Sequence, residues 1–415
     1  MTVINKVKKF LHNHCYSIGF FAFLWIYAYV VVGKFSQWEV FDIVYSFHAV
    51  DFSMGFASKI LMGAIYNFFF NELTMENVVL FDKIVLCIIF ATSAVLIEKI
   101  LLNTDEKYRK TAMFIMLFFV TGTPTFAAYV FCLGMLDTFF VVFSLLFIIF
   151  LSYKYSRWFL IIPLVGVLMT HYASMICFVP SLVILGIYKI SCLEKKGEKI
   201  SLWIPLVVAT VAVLALFVYL LLFETENMVY TLEEFSALLK SKGVEHLEYY
   251  EAGFYREVIN DSGVYDDIIV PDRQTGVARV FDTIIQQIQL TFSMLNINFG
   301  MMVFIGIAPV TYFLFRFLFV HIKKYKRENK LKAFSFVCMC LMFVVTLSLA
   351  GFVSSDSVRW VNHAFFSLFA SVLYILYNEG SESWEYVDTQ FSKTPVVLLV
   401  FYFLMYANFL YSPYM

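Results

Sequence analysis

The chain has 415 residues, 61% of them hydrophobic and only 15% charged. That balance excludes an ordinary soluble domain and points to a polytopic membrane protein. A net charge of −1 gives no reason to invoke nucleic acid as a partner.

The apolar runs are continuous and do not alternate, so they read as helices and not as a barrel. At about 20 residues per span, ten or eleven helices fit. The expected fold is therefore all-α: a polytopic transmembrane helical bundle of about 11 helices. It carries an interfacial helix in the first outer loop and one large outer loop.

Lys6, Lys8 and Lys9 precede the first apolar run and place the N-terminus on the inside. That run is long for a signal-peptide core and no small-x-small site follows, so helix 16–33 reads as uncleaved. Residues 34–77 then lie outside and carry the stretch 51–69, DFSMGFASKILMGAIYNFF. Wound at about 100° per residue, it gathers Asp51, Gly55, Ser58, Lys59, Met62 and Tyr66 on one face. Met54, Ile60, Leu61, Ala64, Ile65 and Phe68 fall on the other. This pattern predicts a helix lying in the membrane interface with a thin polar stripe. Asp51 and Lys59 stand about 12 Å apart along such a helix. They could hold two ends of one ligand; the plainer alternative is an interfacial anchor.

Helices follow at 78–100, from 111 to the Thr121-Gly-Thr-Pro124 turn, and at 136–152. The run 158–190 is long enough for two short helices, with Thr170-His171-Tyr172 as their turn. A helix at 201–223 leads to the hydrophilic stretch 224–290, which holds thirteen acidic residues against five basic ones. Thr231 and Glu234 fit a capping box there, with Gly243 as the stop. Helices at 300–320, 333–352, 361–377 and 394–411 complete the chain, separated by an outer turn at 354–360 and an acidic inner loop at 378–393. Three regions result: an N-terminal membrane bundle (1–223), an extracytoplasmic acidic loop (224–290) and a C-terminal membrane bundle (291–415). Every strong basic cluster then lands on one side, and the C-terminus is extracytoplasmic.

The seven cysteines sit mostly within apolar runs, without C-x-x-C spacing, and read as small packing residues. There is no Walker loop, no glycine-rich nucleotide fingerprint and no H-E-x-x-H. What the outer ends of the helices do collect is a polar set: His48, Asp51, Lys59, Asp137, His171, Asp356 and Arg359. Ionisable groups near a membrane carry a cost, so their gathering at one side suggests a site. Each has a plainer reading. Asp137 suits the positive end of a helix dipole, His171 suits hydrogen-bonded packing, and Asp356 with Arg359 suits a local pair. Arg359 beside Trp360 also has the fork that matches phosphate oxygens at a membrane surface.

This layout resembles bacterial polytopic proteins of surface-polysaccharide assembly. These are the GT-C-type glycosyltransferases and the O-antigen or capsule polymerases of the Wzy type. The resemblance covers the chain as topology and rests on no diagnostic motif. It implies glycosyl transfer from a polyprenyl-linked sugar at the outer face of the cytoplasmic membrane. In the GT-C type an acidic residue of the first outer loop is the base, and Asp51 is the matching position; Asp137 stands second. The polymerases use arginines of outer loops, for which Arg256, Arg273, Arg279 and Arg359 are available. The resemblance thus implies that Lys59, His171, Asp356 and Arg359 hold the substrate, with a divalent cation as an option that has no ligand pattern. The rival from another class is a transporter or flippase for lipid-linked glycans or small molecules, which calls for charged or Gly/Pro-broken helices at mid-membrane.

Overall fold

The computed structural model describes residues 14–35, 47–56, 59–122, 125, 129, 134–227, 237, 240–241, 307–353 and 357–394. All regular structure among them is helical. In chain order the α-helices are α1 (Cys15–Phe35), α2 (Leu61–Phe69), α3 (Met75–Asn103), α4 (Arg109–Thr121), α5 (Asp137–Ser152) and α6 (Ile161–Thr170). They continue with α7 (Phe178–Cys192), α8 (Lys196–Asn227), α9 (Ala308–Glu328), α10 (Lys330–Val353), α11 (Ser357–Glu379) and α12 (Ser381–Ser392).

Among the described residues, four stretches are long and apolar enough to cross a membrane: Met75–Asn103, Lys196–Phe223, Lys330–Leu349 and Trp360–Glu379. Cys15–Val30, Asp137–Ser152 and Phe178–Cys192 are apolar but shorter. The chain is thus a helical membrane protein by length and composition. The helix expected at 394–411 and the small capped helix of 224–290 lie outside the described residues, save for residues 394, 237, 240 and 241 and the end of α8.

Burial follows polarity inside out. The membrane-length part of α11 is 89% buried within the protein, whereas that of α8 is 22% buried. The α11 stretch carries Asn362, His363, Ser367 and Ser371, all buried. Its neighbours replace lipid around these polar groups. The α8 stretch turns Val207, Val208, Val211, Leu214 and Val218 outward, as a lipid-facing helix must.

One end of the bundle is rich in lysine and tied by side chains. Glu98 of α3 accepts from Ser17 N (3.0 Å), Ser17 Oγ (2.8 Å) and His14 Nδ1 (2.9 Å), placing a carboxylate at the positive end of α1. Arg157 donates to Glu198 O (3.1 Å) and Ser201 Oγ (2.5 Å), joining the turn before α6 to α8. Lys189 reaches Asn378 (2.8 Å), and Asn103 reaches Tyr377 O (3.0 Å). Glu379 is the hub. It accepts from Tyr188 (2.7 Å) and Tyr325 (2.5 Å) and pairs with Lys332 (2.6 Å).

Three expectations are corrected. The stretch 51–69 is not one helix. Asp51 caps a short turn, Phe52–Met54, after which Gly55 has φ 123° and Lys59 has φ 70°. Positive φ breaks a right-handed helix, so α2 starts only at Leu61. The segment 378–393 is not a plain loop, since α12 occupies most of it. There Thr111 of α4 donates to Asp388, and Phe114 packs edge-on against Phe391. Finally, the helix placed at 300–320 is described only from Ala308 and continues to Glu328, carrying its basic cluster as a last turn. Basic groups suit the negative end of a helix dipole. The two short helices about Thr170-His171-Tyr172 are present as expected, as α6 and α7.

Candidate functional site

At the bundle end opposite the lysine-rich one, polar side chains are buried among aromatic rings. The α5 helix begins at Asp137, directly after Gly134 (φ 79°) turns the chain. The positive end of the helix dipole at this first turn favours a negative charge. Asp137 is 3% exposed, so it is a buried carboxylate rather than a solvated cap.

Its partner comes from α11. His363 Nε2 lies 3.2 Å from Asp137 Oδ1. That contact is close enough for an ion pair but out of line for a hydrogen bond, and Nε2 has no hydrogen-bond partner in the structure. The other ring nitrogen, Nδ1, lies 3.0 Å from the Tyr129 hydroxyl. A neutral imidazole that accepts from Tyr129 at Nδ1 carries its proton on Nε2, the nitrogen 3.2 Å from Asp137 Oδ1. Phe140, Phe178 and Trp360 surround the ring at centroid distances of 5.5, 5.3 and 5.2 Å. Such walls lower the local dielectric, so charge–dipole contacts inside count for more than in water.

A second pair stands at the same end. His48 Nε2 lies 3.2 Å from Asp82 Oδ1, with both side chains buried. The His48 ring meets Tyr66 and Phe81 edge-on at 5.2 and 5.6 Å. Phe81 stacks on Phe139 at 6.3 Å, which links this pair to the first turn of α5. Asp82 Oδ2 is buried without a hydrogen-bond partner. His48 is held by close backbone packing. A Cβ on Gly63 would sit 1.8 Å from the carbonyl oxygen of Val50, so only glycine lets α2 approach the segment 47–50.

The residues expected from sequence are only partly brought together. Asp137 joins His363 and Tyr129. His171, at the end of α6, touches Trp360 edge-on at 5.6 Å, and Trp360 touches His363, so His171 borders the same cage. Lys59 is 2% exposed and its backbone N–H donates to Met169 O at 2.9 Å, fixing it beside the end of α6. Asp51 is engaged locally. Oδ1 accepts from Ser53 N (2.9 Å) and Ser53 Oγ (2.5 Å), and Oδ2 accepts from Asn67 Nδ2 (2.8 Å). These bonds fasten the turn to α2. Arg359 lies on α11 next to Trp360, with its side chain outside the described part of the structure. Asp356 lies outside the described residues, as do Arg256, Arg273 and Arg279.

His363, Asp82 and Tyr129 were not singled out from the sequence. The signal for two of them was present: Asp82 and His363 are ionisable groups inside predominantly apolar runs, VVLFDKIVL and VNHAFF. Among the described residues, no three His, Cys, Asp or Glu side chains converge as a metal site would need.

The chain matches no family model, no curated protein and no solved structure.

Proposed function

We propose that this protein is a membrane glycosyltransferase or polysaccharide polymerase acting on a polyprenyl-linked sugar, with Asp137 as the base. The observation that carries this reading is the buried Asp137–His363–Tyr129 array at one end of the bundle. The acceptor hydroxyl gives its proton to Asp137 as its oxygen attacks the anomeric carbon. The bond from that carbon to the carrier phosphate breaks, and the phosphate leaves with the bonding pair. The Nε2–H of His363 stabilises the carboxylate before the transfer. His171, Lys59 and Arg359 are the groups proposed to meet the leaving phosphate. Asp51 passes from first to second choice, because Ser53 and Asn67 already occupy both its oxygens. The array is assigned to the outer face of a bacterial cytoplasmic membrane, opposite the lysine-rich end.

The test is transfer from a defined polyprenyl-linked sugar by the protein in membranes. Asp137→Asn keeps the size and removes the proton acceptor. Loss of a positioned base costs about 10²–10⁴ in rate, so product is expected to fall that far at normal protein abundance. Asp51→Asn is expected to stay within a few-fold of the parent. Normal product from Asp137→Asn would end the assignment, and loss confined to Asp51→Asn would return the role to Asp51.

A second reading is a proton-coupled transporter or flippase. The His48–Asp82 pair favours it, because a buried carboxylate on a membrane-length helix paired with an imidazole is a usual part of proton relays. In proteoliposomes that reading expects uptake driven by a pH gradient and abolished by Asp82→Asn, with no sugar transferred.

A further inference from the structure

An apolar concavity lies between α3, α4, α5 and α11 and runs from beside the Asp137 array toward the lysine-rich end. It has a volume of about 140 Å³. Its walls are almost wholly apolar, with Met116 and Phe119 of α4 and Phe366 and Leu373 of α11 as the floor.

Three features give it a direction and a length. Along α5 and the residue that follows it the lining runs from Val141 to Tyr153, and along α11 from Phe366 to Tyr377. Twelve and eleven residues at 1.5 Å each make a groove about 16–18 Å long. One leaflet of a bilayer has a hydrocarbon depth of about 15 Å. The groove is therefore long enough to cross one leaflet, and it opens toward the lysine-rich end.

At its mouth Lys99 of α3 meets Tyr153, with Nζ 3.0 Å from the tyrosine hydroxyl. Lys99 and Tyr153 are both exposed, so the ammonium stands at the surface above an apolar channel. Glu98, its acidic neighbour in sequence, is engaged by His14 and Ser17 and does not neutralise it. Deeper in, the buried hydroxyls of Ser144 and Tyr374 line the groove, and that of Ser144 has no hydrogen-bond partner. Tyr374 is 5% exposed and Ser144 is 8% exposed. Apolar walls, two buried hydroxyls inside and a cation at the rim form a chemical order. It is the order of an acyl chain, its ester carbonyl and a phosphate.

We infer that this groove seats part of one acyl chain of an anionic phospholipid from the lysine-rich leaflet, the rest of the chain staying in the bilayer, with its phosphate on Lys99 and an ester carbonyl on Tyr374. The lipid is structural. It fills the space between α3 and α5, and its headgroup lies at the end opposite the proposed transfer chemistry. Neutral phospholipid shares the acyl chain but presents less net charge to Lys99, so the site selects by headgroup.

The experiment uses the full chain, purified in mild detergent and stripped of lipid. It is then offered phosphatidylglycerol or phosphatidylcholine of identical chains. Native mass spectrometry counts retained lipid. One phosphatidylglycerol per chain is expected to survive, at least tenfold in excess over phosphatidylcholine. Lys99→Gln changes an exposed side chain and leaves the fold intact; it is expected to erase the headgroup preference. Ala370→Phe fills the groove and is expected to abolish retention of both lipids. Should that variant fail to fold, Tyr374→Phe replaces it and is expected to weaken retention of both lipids several-fold. Equal retention of the two lipids, a preference unchanged in Lys99→Gln, or no retained lipid at all would overturn the assignment.

Discussion

Glu379 is the most heavily loaded polar group at the lysine-rich end, so Glu379→Gln is the sharpest test of how this bundle is held. Its carboxylate pairs with Lys332 at 2.6 Å, with side-chain exposures of 12% for Lys332 and 4% for Glu379. It also accepts from Tyr188 at 2.7 Å and Tyr325 at 2.5 Å. The four residues come from α7, α9, α10 and α11, so one carboxylate joins four helices. Glutamine keeps the volume and one acceptor oxygen but leaves Lys332 charged without its partner. Breaking a buried pair in this way costs about 3–5 kcal/mol. Each tyrosine hydroxyl exchanges a charged acceptor for a neutral one, a loss of about 1 kcal/mol apiece. These losses share one network and do not add in full, so a working value is on the order of 4 kcal/mol. Against a total stability of about 5–15 kcal/mol, that is a large fraction. The assay is denaturant unfolding in lipid–detergent micelles of fixed composition. A second variant tests the cause rather than the size. Lys332→Met in the Glu379→Gln background removes the stranded charge, and it should recover at least half of the loss. A single-variant loss under about 1 kcal/mol, or a double variant that simply adds the two losses, would refute the network account.

Two further outcomes are expected. Gly63→Ala should destabilise by about 1–3 kcal/mol, at the upper end, because the new methyl meets a backbone carbonyl at 1.8 Å rather than a side chain that can move; a change below about 0.5 kcal/mol would show that α2 does not press on the segment 47–50. Reporter fusions after Lys199 and after Lys332 should read as cytoplasmic and a fusion near His171 as external, since the basic clusters share one end of the bundle; an external signal after Lys332 would invert the orientation.

Much of the architecture is readable along the chain because its cause is local. A run of apolar residues closes its own backbone hydrogen bonds as a helix whatever surrounds it. Thr170-His171-Tyr172 announces the break between α6 and α7. The placing of Asp137 at the start of its helix follows from the same local logic. The kink at Lys59 does not, because a lysine at φ 70° has no signature in sequence; its backbone is drawn there by the carbonyl of Met169, more than a hundred residues away. The acidic segment 381–392 looks like a loop until α4 provides a surface for Phe391 and a hydroxyl for Asp388.

The site divides along the same line. Sequence by itself determined a helical membrane chain, the rough extents of most described helices, and Asp137 as a carboxylate at a helix start. Only the tertiary structure decided that Asp51 is spent on its own turn, and that the partner of Asp137 is His363, 226 positions along the chain. The physical reason is that hydropathy records what a helix can tolerate around it, while pairing depends on which face of it meets which neighbour. A histidine in an apolar run could have been a solitary packing residue. It becomes half of a buried pair only because α11 runs through the middle of the bundle, where α5 and Tyr129 replace lipid at its side.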